Sequence, residues 1–146
     1  MHITRHTDYA LRVLMYLALK KGENATVVEI AERFEISRHH LTKVVQRLHQ
    51  KGHLLATRGK NGGLTLLRPP QEINLGRVFR DMENELGLVE CMREDGACAL
   101  DVGCGLKRTF GEARDAFLEV LDARSLADLI PDGSAARMRE ALAISA

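Results

Sequence analysis

Cys91, Cys98 and Cys104 are the only cysteines, and all three fall in one stretch, residues 90–107, ECMREDGACALDVGCGLK. Six residues separate the first pair and five the second, with Gly96, Gly103 and Gly105 among them. Three soft sulfur donors on a glycine-bearing loop suit a metal ion or an iron-sulfur cluster. The spacing matches neither the paired C-x2-C knuckles of zinc ribbons nor the ferredoxin runs, so it leaves the metal open. A fourth ligand is missing. Zinc would take another cysteine or a histidine, yet His2, His6, His39, His40, His49 and His53 all precede the cysteine stretch. Only His2 or His6 could be brought over. A cysteine nucleophile would need a histidine base near it, and the C-terminal half has none, which argues against an enzyme. Three thiolates with one weak ligand suit a cluster that stays open to attack.

The second set of residues able to do chemistry is basic. Residues 1–68 hold twelve Lys/Arg against five Asp/Glu, a balance of +7, and residues 69–146 reverse it to −6. A polyanion fits the first half and is repelled by the second. Residues 7–20 place Ala10, Val13, Leu14, Leu17 and Ala18 at helical spacing, with Thr7 or Asp8 as the cap. Thr26 caps a second helix over 27–34, and Ser37 opens a third over 37–50. In the third, Leu41, Val44, Val45 and Leu48 share one side, and Arg38, His39, Thr42, Lys43, Gln46 and Arg47 the other. This is a helix-turn-helix whose second helix enters a major groove. Arg38, His39 and His40 are candidate groove contacts, Lys43 and Arg47 candidate phosphate contacts, and Ser37 and Thr42 further candidate DNA-binding residues.

After Gly52 the pattern alternates: LLATR, then GKNGG, then LTLLR. It predicts a hairpin, with Asn61-Gly62 supplying positive φ angles at its turn. A hairpin after a helix-turn-helix is a wing. Its tip residues Arg58, Lys60, Asn61, Gly62 and Gly63 can reach phosphates or a minor groove of double-stranded DNA.

Pro69-Pro70 marks the expected boundary between a winged helix-turn-helix domain, residues 1–70, and a cysteine-loop and dimerisation region, residues 71–146. In the latter, Asn74 caps a helix over 75–84. A longer helix over 106–124 sets Phe110, Ala113, Phe117, Val120 and Leu121 along a seam opposite Glu112, Asp115, Glu119 and Asp122. One such helix has too little of its own chain to cover the seam, so it is expected to pack against its copy in a homodimer. A short helical turn over 125–130 precedes Pro131, and 132–146 reads as a loose helix or disordered. The fold class is mainly α with a small β-hairpin. With no Trp, two Tyr and four Phe, the core should be aliphatic. No apolar run nears the roughly 20 residues of a membrane span, and the N-terminal sequence lacks a signal-peptide h-region, so a cytoplasmic protein is expected. Three thiols in a reducing compartment argue against a disulfide framework.

TDYALR near the N-terminus, RGKNGG in the wing, three cysteines after Leu-Val-Glu, the CGLK that follows, and LADL after the long helix together resemble the iron-sulfur winged-helix repressors. The resemblance covers about residues 1–130 and is strongest to the nitric-oxide-sensing branch. The cluster-biogenesis branch carries a His three residues after its last cysteine, where this chain has Lys107. The iron-responsive branch has a similar wing and a slightly longer first cysteine gap. The resemblance implies a homodimer on a palindromic operator, with Cys91, Cys98 and Cys104 holding a [4Fe-4S] or [2Fe-2S] cluster that reacts with nitric oxide. It also implies a fourth ligand from the first helix of the partner subunit, which maps onto Asp8. Asp8 reads equally as a first-turn acid favoured by the helix dipole, and Glu90 and Asp101 are the carboxylates nearest the cysteines.

Overall fold

A computed structural model describes residues 2–93, 96, 98–100 and 103–145. Helix α1 (Arg5–Leu19) lies at the centre and packs on elements from both halves of the chain. Its apolar positions recur at helical spacing, and Ala10, Val13, Leu14, Tyr16 and Leu17 are buried. The helix starts two residues earlier than its sequence suggests, with Thr4 and not Thr7 or Asp8 as the cap. Thr4 Oγ1 accepts from the Thr7 amide at 3.3 Å, and the Thr4 amide and hydroxyl both donate to Glu83 Oε1, at 2.8 and 3.0 Å. That tertiary support comes from 79 residues away, beyond any local signal.

Helix α2 (Val27–Arg33) opens with a reciprocal capping box between Thr26 and Glu29, as Thr26 leads one to expect. Glu29 also joins α2 to α1: Tyr16 Oη donates to its Oε1 at 2.7 Å, and Lys20 Nζ to the same oxygen at 3.2 Å. Burial alone would raise the Glu29 pKa, but hydrogen bonds from Tyr16, Lys20 and the Thr26 amide hold it below the usual carboxylate value. Burial, then the bond to Glu29, push the Tyr16 phenol up to about 12. The phenol is neutral when protonated, so this contribution is complete below pH 10 and is lost as pH rises from 10 toward 12. Alkaline urea titrations should show wild-type stability falling through that window, and Tyr16→Phe should flatten the fall. An equal fall in the variant would refute the assignment.

Helix α3 (Arg38–Gln50) follows, and Leu41, Val44, Val45 and Leu48 turn inward as their spacing demands. The chain then forms β1 (Leu54–Thr57) and β2 (Gly63–Leu66), antiparallel, with Leu54 opposite Leu66 and Thr57 opposite Gly63. Ala25 adds a bridge to Leu64: each amide donates to the other's carbonyl, at 3.1 and 2.7 Å. The turn differs from expectation, because Asn61 and Gly62 are not in the positive-φ region. Gly59 takes it, at φ 108°, and its carbonyl accepts from the Gly62 amide at 3.0 Å. Gly62 is required for another reason: a Cβ there would collide with the Thr57 carbonyl. The five-residue connection turns at its start and folds back against β1.

Helix α4 (Leu75–Met82) is capped by Asn74, whose Oδ1 accepts from the Arg77 amide at 2.9 Å. Helix α5 (Gly105–Asp122) lies along it. Phe117 meets Phe79 edge to face at 5.2 Å, and Leu118 is buried. Gly76 admits the end of α5, since a Cβ there would strike the Asp122 carboxylate. Arg80 grips that carboxylate with both terminal nitrogens, at 2.6 and 2.7 Å. α4 thus covers part of the seam expected to lie bare. Leu106, Phe110 and Val120 remain 54, 37 and 61% exposed, and Ala113 is exposed with them.

After α5, Leu126 enters the core and a 3-10 turn (Leu126–Leu129) packs on α1. The tail is not loose. Helix α6 (Ala135–Ala141) rests on α1, and Ile144 beyond it is buried. One apolar cluster therefore runs from Ala10 through Ile73, Val78, Met82 and Leu126 to Ile144, across the Pro69-Pro70 step. No helix among the described residues is long and apolar enough to cross a membrane.

Candidate nucleic-acid interface and cysteine segment

The start of α3 stands clear of the body. Ser37, Arg38, His39, His40 and Lys43 are exposed, and Ser37 makes no side-chain cap bond, so its hydroxyl is not committed to the helix. Thr42 is half-buried and its hydroxyl donates to the Arg38 carbonyl at 2.8 Å. Beside α3, the wing and the start of α2 enclose an open groove of about 450 Å³, floored by Val45 and Leu64 and edged by Gln46, His49 and Arg58. At the tip, Arg58, Lys60 and Asn61 are exposed, and Gly62 and Gly63 are half-buried. The tip is held from behind, because Asn24 Nδ2 donates to the Asn61 carbonyl at 2.9 Å. An exposed helix end beside a basic hairpin is an arrangement suited to offering donors to the phosphates and base edges of a duplex.

Arg47 is placed differently from Lys43. It is half-buried, its Nε donates to the Asp81 carbonyl at 2.7 Å, and its Nη1 donates to Asn84 Oδ1 at 2.7 Å. Nothing in its helical position forecasts these bonds, since both partners lie over thirty residues on. His53, also buried, sets Nε2 2.7 Å from Asp81 Oδ2. Nearby, burial first and then the charge of Arg47 lower the His6 pKa, with Glu83 opposing them, and His6 Nε2 is buried with no hydrogen-bond partner among the described residues.

The cysteines lie between α4 and α5. All three are free thiols; Cys91 and Cys104 are half-buried and Cys98 is exposed. Cys91 sits in a 3-10 turn (Glu90–Met92), braced by an ion pair of Arg93 with Glu85 at 3.0 Å. Gly96 packs so closely on this turn that a Cβ would collide with the Glu90 carbonyl. Cys104 is the N-cap of α5 and its side chain makes no cap bond. Flanking Gly103 and Gly105 have open space where a Cβ would stand, and Gly103 is at φ 77°. Among the described residues, no three His, Cys, Asp or Glu side chains come together as metal ligands, so the thiols are not gathered at one point. Asp101 lies outside the described residues. Glu90 is exposed, and Asp8 is ion-paired with Arg12 at 2.9 Å on the surface of α1. The set nevertheless has donors that suit a cluster: three thiols outside any disulfide, of which Cys98 Sγ accepts a 3.5 Å bond from the Leu100 amide and Cys104 heads an 18-residue helix whose first-turn amides favour an anionic group.

Residues 3–132 match the Rrf2 family, described as iron-dependent transcriptional regulators. The HTH-type transcriptional regulator NsrR of Geobacillus kaustophilus is 45% identical over 139 residues, covering 94% of this chain and 95% of that one. The regulator of the same name from Bacillus subtilis is 42% identical over 132 residues, covering 89% and 90%. Among solved structures, the B. subtilis global cysteine regulator CymR superposes with a TM-score of 0.70 at 30% identity, over 88% of this chain and 95% of that one. T. potens IscR does so with 0.72 at 26% identity, over 94% and 92%. The chain belongs to the Rrf2 family of winged helix-turn-helix transcriptional regulators and resembles its NsrR members over most of its length.

Proposed function

We propose that the chain is a nitric-oxide-sensitive repressor that binds a palindromic operator as a homodimer and governs genes of nitric oxide detoxification. Cys91, Cys98 and Cys104 would hold an iron-sulfur cluster, [4Fe-4S] in preference to [2Fe-2S], with Asp8 of the partner subunit as fourth ligand. The observation that carries the reading is the cysteine segment: three free thiols between two helices of a winged-helix body, the last at the head of α5. The extended match to NsrR regulators supports it. When bound, the cluster supplies irons that nitric oxide can nitrosylate. The remaining work belongs to the chain's own side chains.

Leu106, Phe110, Ala113, Phe117 and Val120 follow a four-three spacing along α5, the stripe of a helix that pairs with its like. Joining two α5 helices would set two α3 helices in a fixed relation, as they must be to enter successive major grooves about 34 Å apart. Ser37, Arg38, His39, His40 and Thr42 would read base edges. Lys43, Arg58 and Lys60 would hold phosphates, with Asn61, Gly62 and Gly63 letting the wing tip approach the backbone. Asp8 would have to exchange Arg12 for a ligand position.

Anaerobic purification with iron, sulfide and zinc analysis, followed by titration of an operator complex with nitric oxide, tests this. Straw-brown protein that releases DNA on nitric oxide is the expected result. Release by iron depletion alone, with no response to nitric oxide, would move the chain to an iron-responsive role. Release by oxidants alone would move it to a redox-responsive one. Colourless protein holding zinc would replace the cluster with a structural metal.

A further inference from the structure

We infer that Arg47 is a positioning residue that couples the recognition helix to the cysteine segment and is not itself a phosphate contact. The inference rests on the cluster-dependent reading above. Arg47 stands in the last turn of α3, one turn beyond Lys43, yet it is half-buried where Arg38 and Lys43 are exposed. Two of its nitrogens are committed, at 2.7 Å each, to the Asp81 carbonyl in the last turn of α4 and to Asn84 Oδ1 just beyond it. The planar fork fixes direction as well as distance, which a lysine at this position could not do. The chain from Asn84 onward leads to Cys91 without an intervening long helix.

Other bonds converge on the same short segment. Glu83 accepts from Thr4 at the head of α1, and Asp81 Oδ2 lies 2.7 Å from His53 Nε2, just past the end of α3. Residues 81–84 are thus gripped from α3 on one side and from the start of α1 on the other. Asp8, the expected ligand for the partner's cluster, lies one helical turn beyond Thr4. Lys51, which caps the end of α3, also pairs with Asp81 at 3.9 Å, but among the described residues only the Arg47 guanidinium is bonded to both Asp81 and Asn84. A rearrangement of the cysteine segment that pulls on Asn84 therefore reaches α3 most directly through it. Spatial intermediacy alone does not establish coupling, so the test must measure it directly.

The anaerobically purified full-length dimer serves for the test. Operator Kd is measured with the cluster loaded and after its removal, each over a range of salt, for wild type, Asn84→Ala, Arg47→Met and Lys43→Ala. Asn84 lies outside α3 and carries no charge, so its variant leaves the phosphate contacts alone. The expected result is a loaded-to-cluster-free affinity ratio at least about fivefold smaller in Asn84→Ala and Arg47→Met than in wild type, with the salt slope of Asn84→Ala unchanged. Lys43→Ala should keep the ratio and lower the slope by about 0.9 in both states. If Asn84→Ala keeps the wild-type ratio, or if Arg47→Met behaves like Lys43→Ala, the coupling role is overturned while the cluster reading stands. A wild-type ratio near one overturns both.

Discussion

Cys104→Ala is expected to lose the visible colour of the anaerobically purified protein, most of its iron, and its nitric oxide response. Its operator affinity should fall by about 5- to 150-fold, the usual range for coupling between two sites. The location of the thiol makes the variant informative. Cys104 caps α5 without a side-chain bond, the glycines on either side have open space around them, and none of the three belongs to the apolar cluster. Removing the sulfur therefore leaves the helix start and the core intact, and global stability should move by no more than about 0.5 kcal/mol. Thermal melting of the cluster-free forms checks that part, and iron analysis with operator titration checks the rest. A variant that keeps its iron and still releases DNA on nitric oxide would remove Cys104 from the ligand set and the proposed mechanism with it.

The second large effect concerns assembly. Val120 is 61% exposed and lies on a stripe with Leu106, Phe110, Ala113 and Phe117. Such a row of apolar side chains is costly to leave in water, and the proposed pairing with a second copy would hide it. Val120→Glu places a carboxylate in that row beside the native Glu119 without touching the packing of α4 on α5. The protomer should fold as before, and sedimentation should find it monomeric. Operator affinity should fall by about 10²- to 10⁴-fold, because two half-sites no longer engage together. Should the variant remain a dimer with normal DNA binding, the dimer uses another face.

Much of this was legible in the chain itself, and the reason is that it is local. The apolar spacing of α1, α2 and α3, the Thr26 and Asn74 caps, the alternation of β1 and β2, and the grouping of the cysteines depend on neighbours a few residues apart. The exposed face from Ser37 to Lys43 follows from the buried positions between its members. What escaped depends on distant partners. Thr4 is the cap of α1 because Glu83 steadies it, the tip of the wing is fixed because Asn24 reaches Asn61, and Arg47 turns inward because Asp81 and Asn84 offer acceptors. Dipeptide preference predicts the turn at Asn61-Gly62, but the five-residue connection has its positive-φ residue at Gly59. α5 looked wholly unpartnered because nothing in its own sequence says that Phe79 will meet Phe117. The docked tail depends on a distant partner in the same way: Ile144 is one apolar residue near the end of the chain, and only the surface of the folded body gives it a destination.

The attachment of the wing has a consequence for how binding preference can change. Its second strand is bridged to Ala25 and its tip carbonyl is held by Asn24, so both pins come from the connection between α1 and α2. The hairpin therefore acts less like a free arm than like a fixed fence beside α3. Substitutions at Arg58 and Lys60 alter what the fence presents and not where it stands. On the proposed mode of binding, two surfaces could thus be tuned separately: the helix face would set the bases read in the major groove, and the tip the flanking sequence and groove width accepted, with neither disturbing the other's register.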